Sequence, residues 1–408
     1  MNGTDRMTNK KANFLIFLCW AAYTAAYIGR LNYNASMVEI LAQLGTSKES
    51  AGAVSSAFFL AYGAGQLIHG LLSRRYNTKY SVTVALGVSS VLNLAMTFCG
   101  DIAVMKVIWF ANGIFQSILW SSLIKTLSLY LPNERLPKAV MMMSTTVAVG
   151  TFGAYGIAAL FSALTVRWTA IFYVSSAVLA LVAILWFFGM RSVEKCERAT
   201  LTAGSKTTGK LNLTPVFAFS IGIILLTAIA NGFIKDGVTT WVPSILKEEF
   251  GVSPSLSIIV TLLLPLLSIF GATLVRLLHA KQKNVAILNG LFYLLSTVFI
   301  GAILPTIGLR FAPLTLLLFA LTACMMASVN NVITSIIPLY SRDKMDSGLS
   351  AGLLNTFCYV GSTLSIQLLG RIADTKGWND VLLCIFFFSL AAFLLCAVST
   401  LLLRKKTP

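Results

Sequence analysis

Residues 13–37 read NFLIFLCWAAYTAAYIGRLNYNASM, twenty-five positions that carry a single charged side chain, Arg30. A run of about 20 apolar residues is long enough to cross a bilayer as a helix. Arg30 stands 17 residues after Asn13, so at about 1.5 Å per residue it lies roughly 25 Å along that helix. That is the middle or outer half of a membrane, where a charge costs about 2.5–3.5 kcal/mol even on insertion scales. Such residues usually face a bundle interior or a wet cavity. The alternative is that Arg30 snorkels to the surface.

Eleven further runs of the same kind follow: 51–73, 80–98, 104–129, 139–164, 170–188, 215–241, 255–278, 286–304, 314–337, 348–372 and 381–403. The chain is 57% hydrophobic and 11% charged, against about 25% charged in soluble domains. It is therefore expected to be an all-α membrane protein of twelve transmembrane helices. The net charge of +17 would suggest nucleic acid in a soluble protein. Here the basic residues sort by loop. With both termini cytoplasmic, twenty Lys and Arg fall in inner segments. Seven fall in outer ones: Lys48, Lys106, Arg167, Lys247, Arg310, Arg371 and Lys376. That asymmetry is the positive-inside rule, so no nucleic-acid partner is expected. The first 12 residues are polar and basic and run into a full-length span, so no cleaved signal is expected. Of the seven cysteines, Cys196 alone lies clearly in a loop, and no metal-ligand spacing occurs; structural disulfides and a metal site are not expected.

A polar stretch, 191–214, holds Gly204, Ser205, Thr207, Thr208 and Gly209 among basic residues. It reads as a cytoplasmic linker between a six-helix bundle at 1–190 and another at 215–408. The two are internally related. Tyr27-Ile-Gly-Arg30 and Gly232-Phe-Ile-Lys235 keep an offset of 205, as do Ile40-Leu41 and Ile245-Leu246. Val149-Gly150 and Val360-Gly361 match in spans 5 and 11, each followed by a tryptophan, Trp168 and Trp378. Two pseudo-symmetric six-helix bundles place a substrate near the midplane, between the halves.

Four basic residues remain inside spans: Arg30, Lys125, Lys235 and Arg276. Arg276, three residues from His279 at an inner helix end, is expected to snorkel; His69 and His279 are read as structural. Arg30 and Lys235 look like a clamp for one anion. Asp236 is the one carboxylate placed clearly inside a span, so about two interior positive charges are left for a bound dianion. Asp236 is expected either to pair with Lys125 or Lys235, or to act as a proton site whose pKa rises on burial. Because neighbouring residues on a helix point about 100° apart, its partner is expected on another helix. Tyr23, Tyr27 and Arg30 line one helix face, and Tyr62 and Gln66 line another. Tyrosine hydroxyls can donate to an anion, or these rings simply pack. No nucleophile–base pair, metal cluster or phosphate-binding glycine loop is present, so neither an enzyme nor a cofactor is expected.

At these residues the chain resembles the organophosphate:phosphate antiporters of the major facilitator superfamily. The resemblance rests on Tyr23-x3-Tyr27-x2-Arg30-x-Asn32, on the loop Gly70-x2-Ser73-Arg74-Arg75-Tyr76-Asn77-Thr78-Lys79, and on Trp109-x2-Asn112-Gly113-x-Phe115-Gln116-x3-Trp120. In span 11 it rests on Ser350-Ala-Gly352, Tyr359-Val-Gly361 and Ala373-Asp374-x2-Gly377-Trp378. It implies a phosphate held by Arg30 and Lys235, with Lys125 at another basic position and Tyr23, Tyr27 and Tyr62 nearby. Departures are also present. Lys235 stands where the family has arginine, and a lysine is a point charge where arginine is a planar fork. Gln66 and Val147 replace a lysine and a histidine of the glycerol-phosphate carrier, Asp236 is unusual beside the span-7 base, and Arg74 stands where the loop motif has an acid. The expected function is secondary transport, by alternating access, of an organic anion: a phosphate ester exchanged for inorganic phosphate. The alternatives are a proton-coupled symporter of a sugar acid or other carboxylate, and a membrane sensor of sugar phosphates. The protein is expected to be a monomer, multi-pass in the cell's inner (plasma) membrane.

Overall fold

The computed structural model describes residues 7–72, 77–132, 134–195, 215–340 and 347–404. Most of the linker, with Cys196, and the Ser73–Tyr76 part of the loop motif lie outside them. So do Arg342, Lys344 and the basic residues at the two extreme ends. Among the described residues there are sixteen α-helices and one π-helical stretch. The helices are α1 (Asn9–Ala35), α2 (Met37–Leu44), α3 (Lys48–Leu72), α4 (Thr78–Met96), α5 (Ile102–Ser117), α6 (Leu119–Tyr130), α7 (Leu136–Ala163) and α8 (Ala170–Val193). There follow α9 (Pro215–Phe250), α10 (Pro254–Val260), α11 (Leu263–Lys281), α12 (Val285–Gly308), α13 (Ala312–Asn331), α14 (Ile337–Tyr340), α15 (Ser347–Lys376) and α16 (Trp378–Arg404).

Local chemistry sets the helix ends. The side chains of Thr8, Asn77, Asp101, Ser253 and Asn284 each accept a hydrogen bond from a first-turn N–H of the helix that follows, satisfying donors that the helix cannot. Gly45 ends α2 at φ 59°, a left-handed conformation that glycine adopts without strain. The sixteen helices make twelve spans because four spans are interrupted. Span 8 breaks at Thr261, four residues before Pro265, whose missing N–H leaves the Thr261 carbonyl without its helical donor. The π-stretch Val332–Ile336 in span 10 precedes Pro338 in the same way. Span 1 breaks at Ser36 and span 4 at Ile118. The span-7 helix is longer than expected from hydropathy: α9 continues through Pro243 to Phe250.

Large apolar side chains are exposed on nearly every helix, among them Val91, Val107, Leu181, Phe188, Phe270, Val298, Phe387 and Leu401. An exposed apolar surface of that extent fits lipid as the solvent. Among the described residues, ten helical segments are long and apolar enough to cross a membrane by themselves. The two spans that fall short are α4 and α15, and both carry polar side chains turned toward other helices. In α4, Asn93 and Ser90 bond inward, to α1 and to Ser176 on α8. In α15, Asn355, Thr356 and Ser362 reach partners on α3 and α9. A helix that faces helices needs less apolarity than one that faces lipid.

Helices α1–α8 pack among themselves, as do α9–α16, and the broadest contact between the two sets runs along α3 and α15; α7 also meets α10. Within each set the same close approach recurs. A Cβ on Gly150 would lie 3.0 Å from the Thr24 carbonyl oxygen and 2.3 Å from Tyr27 Cβ, and a Cβ on Gly361 would lie 1.9 Å from the Ile229 carbonyl oxygen. Thr24 and Ile229 differ by the 205 residues that separate the repeats, so the offset read in the sequence is a packing equivalence. Overpacking of such a contact costs about 1–3 kcal/mol. Gly361→Ala is expected to lower the thermal midpoint of the solubilised protein by several degrees, whereas Gly87→Ala, with open space around its Cβ, leaves it unchanged; differential scanning fluorimetry of both variants checks this.

Candidate functional site

The stretch of α1 around Arg30 is fixed by amide side chains. Asn93 on α4 and Asn112 on α5 both donate to the Gly29 carbonyl, at 3.0 and 3.3 Å, and Asn32 donates to Asn93 at 2.7 Å. Gln116 donates in turn to Asn112 at 3.3 Å. Two neighbouring helices therefore hold one carbonyl of α1, and the next residue is Arg30. Asn112 and Gln116 belong to the span-4 motif, so that motif positions the base from outside the site.

Arg30 is 7% exposed. Its guanidinium carbon stands 3.5 Å from the centre of the Tyr27 ring, 5.2 Å from that of Tyr62 and 5.7 Å from that of Tyr23. Tyr23 packs edge-on against Tyr27 at 5.1 Å and lies tilted against Trp120 of α6 at 4.9 Å, and its hydroxyl lies 3.5 Å from that of Tyr62. Tyr359 of α15 closes the far side, 5.0 Å from Tyr62 and within electrostatic range of Arg30. A cation over ring faces gains about 2 kcal/mol or more when desolvated, which offsets part of its burial. Among the described residues, no carboxylate stands within ion-pair distance of Arg30.

Lys235 lies on α9, where Gly232 backs onto the Cys358 carbonyl of α15 and Asn231 donates to the Met326 carbonyl of α13 at 2.8 Å. Its ammonium is 3.5 Å from Asp236 Oδ1 and within electrostatic range of Tyr27 and Cys358. The side chains of Lys235 and Asp236 are 31% and 15% exposed. The expectation that the partner of Asp236 lies on another helix is corrected: the ion pair joins chain neighbours. The long lysine stem spans the angle between adjacent positions, and the other helix contributes a neutral donor, the hydroxyl of Ser362 on α15. Tyr155 of α7 faces the same carboxylate.

Tyr27 thus borders both bases, and the residues around it come from α1, α3, α7, α9 and α15. Gln66, one turn along α3 from Tyr62, is held across the α3–α15 seam by the Asn355 amide. Lys125 is half-buried on α6, five residues beyond Trp120. Tyr155, Tyr359 and Ser362 were not singled out as site residues from sequence. Tyr359 and Ser362 lie on either side of the Val360-Gly361 repeat, so the glycine signal pointed to their neighbourhood; Tyr155 carried no signal of its own. Arg276, read as snorkelling, is exposed on α11 and lines a cavity of about 360 Å³ with His279, Asn331 and Ser335.

At the end of the molecule away from the chain termini the two helix sets are tied by charge. Lys48, at the start of α3, pairs with Glu248 at 3.1 Å and Asp374 at 3.7 Å. Asp374 also accepts from the backbone N–H of Lys48 and Glu49 at 3.2 and 2.8 Å, and Trp378 donates to Glu248 at 2.9 Å. Asn34 of α1 donates to Thr240 of α9 at 3.2 Å nearby.

Residues 19–326 match the family described as Major Facilitator Superfamily. The Glycerol-3-phosphate transporter of Bacillus subtilis is 23% identical over 392 residues, covering 89% of this chain and 86% of the relative. The Probable sulfoacetate transporter SauU of Cupriavidus necator is 22% identical over 406 residues, covering 91% and 90%. The Membrane sensor protein UhpC of Escherichia coli is 28% identical over 108 residues, spanning about a quarter of either chain. Among solved structures, a bacterial homolog to the human lysosomal transporter Spinster, in an inward-facing and occupied conformation, superposes with a TM-score of 0.81 at 15% identity, covering 97% of this chain and 98% of that one. The nucleoside transporter NupG superposes with a TM-score of 0.67 at 14% identity, covering 96% and 99%. With its twelve-span architecture and a family match over three quarters of its length, this chain belongs to the Major Facilitator Superfamily.

Proposed function

We propose that this transporter moves a small organic anion between Arg30 and Lys235 by alternating access, as a monomer in the plasma membrane with both termini cytoplasmic. The observation that carries the reading is Arg30 itself: a buried guanidinium cushioned by aromatic faces, with no carboxylate among the described residues within ion-pair distance. An anion completes that electrostatics. The bundles 1–190 and 215–408, joined by 191–214, are the moving units. Lys48, Glu248 and Asp374 form a latch at one end. Partly exposed ion pairs are worth little in stability, which suits contacts that must break and re-form in every cycle.

The favoured cargo is a phosphate ester exchanged for inorganic phosphate, consistent with the relative named for glycerol 3-phosphate. Exchange also follows from the charges, because an empty carrier must reorient with an uncompensated guanidinium whereas a loaded one is neutralised. A second reading is favoured by the Lys235–Asp236 pair, which leaves the second base less positive charge for a cargo: a singly charged carboxylate or sulfonate, moved by proton-coupled symport.

Counterflow in liposomes separates these readings. Labelled phosphate is expected to enter only vesicles preloaded with phosphate or a phosphate ester, and Arg30→Ala is expected to abolish entry while leaving folded protein in the membrane. Equal uptake into empty vesicles rejects exchange; uptake that collapses with a protonophore and with Asp236→Asn supports the second reading. At Tyr27 the ring face, not the hydroxyl, supports the guanidinium. Tyr27→Phe is therefore expected to hold phosphate affinity within about threefold and Tyr27→Ala to weaken it by about tenfold, the scale of a desolvated cation–π contact, as measured by ligand-induced thermal shift.

A further inference from the structure

The chain position that supplies the second base also supplies an acid, and this changes the charge offered to a cargo. Asp236 lies 3.5 Å from the Lys235 ammonium and accepts a hydrogen bond from Ser362. Among the described residues, Tyr155 of α7 and Cys358 and Tyr359 of α15 are ionisable groups that also face it. Arg30, Lys235 and Asp236 together carry one net positive charge. Each unit of uncompensated charge is costly in a low-dielectric site. A singly charged cargo brings these three groups to neutrality, and a doubly charged one overshoots. Hydrogen bonding acts in the same direction. A phosphate that keeps one proton has an O–H donor, and Asp236 is an acceptor beside the base that binds it; a dianion has no donor to offer.

Resting on the anion-transport reading above, we propose that Asp236 is a specificity-determining residue that selects the singly charged form of an oxyanion cargo. A phosphate ester is taken with one proton still on the phosphate. A carboxylate or sulfonate head fits in its ordinary ionised state. Lys125, on α6, is not among the groups that act most strongly on Arg30 or Lys235, so it is left out of the count of three, and the net charge expected from sequence with Lys125 included falls by one.

The test uses the full chain, purified in detergent, with two probes of similar shape. Methyl sulfate carries one charge at every accessible pH. Methyl phosphate, like other phosphate monoesters, loses its second proton near pH 6. Dissociation constants are measured calorimetrically at about pH 6 and about pH 8. In the wild type the two probes are expected to bind within about threefold of each other at the lower pH. At the higher pH methyl phosphate is expected to weaken by about tenfold or more relative to methyl sulfate. Asp236→Asn removes the negative charge, while its amide oxygen can still accept a hydrogen bond, and is expected to reverse the order at the higher pH. Tighter binding of methyl phosphate than methyl sulfate by the wild type at the higher pH overturns the proposal. So does an Asp236→Asn protein whose probe ratio is unchanged. Should Asp236→Asn fail to fold, the wild-type pH comparison decides alone. Binding of neither probe at either pH rejects the anion reading itself, and the proposal with it.

Discussion

A guanidinium buried inside a membrane protein must find partners for its charge, and most of the architecture around residue 30 can be understood from how this chain does so. Arg30 is 7% exposed and its main protein partners are rings, with Tyr27 at 3.5 Å. Ring faces attract a cation without cancelling its charge. A carboxylate would have stabilised the empty protein more strongly, and would also have filled the place of an anion. The second base follows the opposite rule, since Lys235 is paired with its own chain neighbour. The two bases thus differ in how much positive charge each leaves for a ligand, although the repeats place them at equivalent positions.

Rings alone do not hold a site; backbones must be brought close and kept in register. Glycines at equivalent points allow α7 to approach α1 and α15 to approach α9. Asparagines fasten α4 and α5 to the Gly29 carbonyl. In lipid there is little hydrophobic force between helices, so close backbone approach and interhelical hydrogen bonds take its place. This is why α15, the helix that touches both α3 and α9 most broadly, has polar residues along much of its length.

The site and the end of the molecule away from the chain termini are built differently. At the candidate site the side chains are aromatic and closely packed. At the end away from the termini the link between the helix sets is ionic and partly exposed: the Lys48 side chain is 18% exposed and that of Glu248 40%. Packed aromatic contacts resist rearrangement, whereas solvated ion pairs exchange partners at little cost. A carrier that must open one end while preserving its binding residues has use for both.

Much of this was legible in the chain itself. Hydropathy located the spans because lipid forces apolarity onto every exposed helix face, and the positions of Arg30, Lys235 and Asp236 stood out because charge in such spans is rare. The 205-residue offset revealed the repeat because helix approach demands small residues at fixed places. What the sequence did not determine was which groups meet. The pairing of Asp236 with its neighbour depends on the lysine stem folding back and on Ser362 arriving from a helix 126 residues away. The contributions of Tyr155 and Tyr359 depend on α7 and α15 crossing the site from the two halves. Spacing along one helix fixes the direction of a side chain; its partner is decided by the packing of other helices, and that exists only in the folded protein.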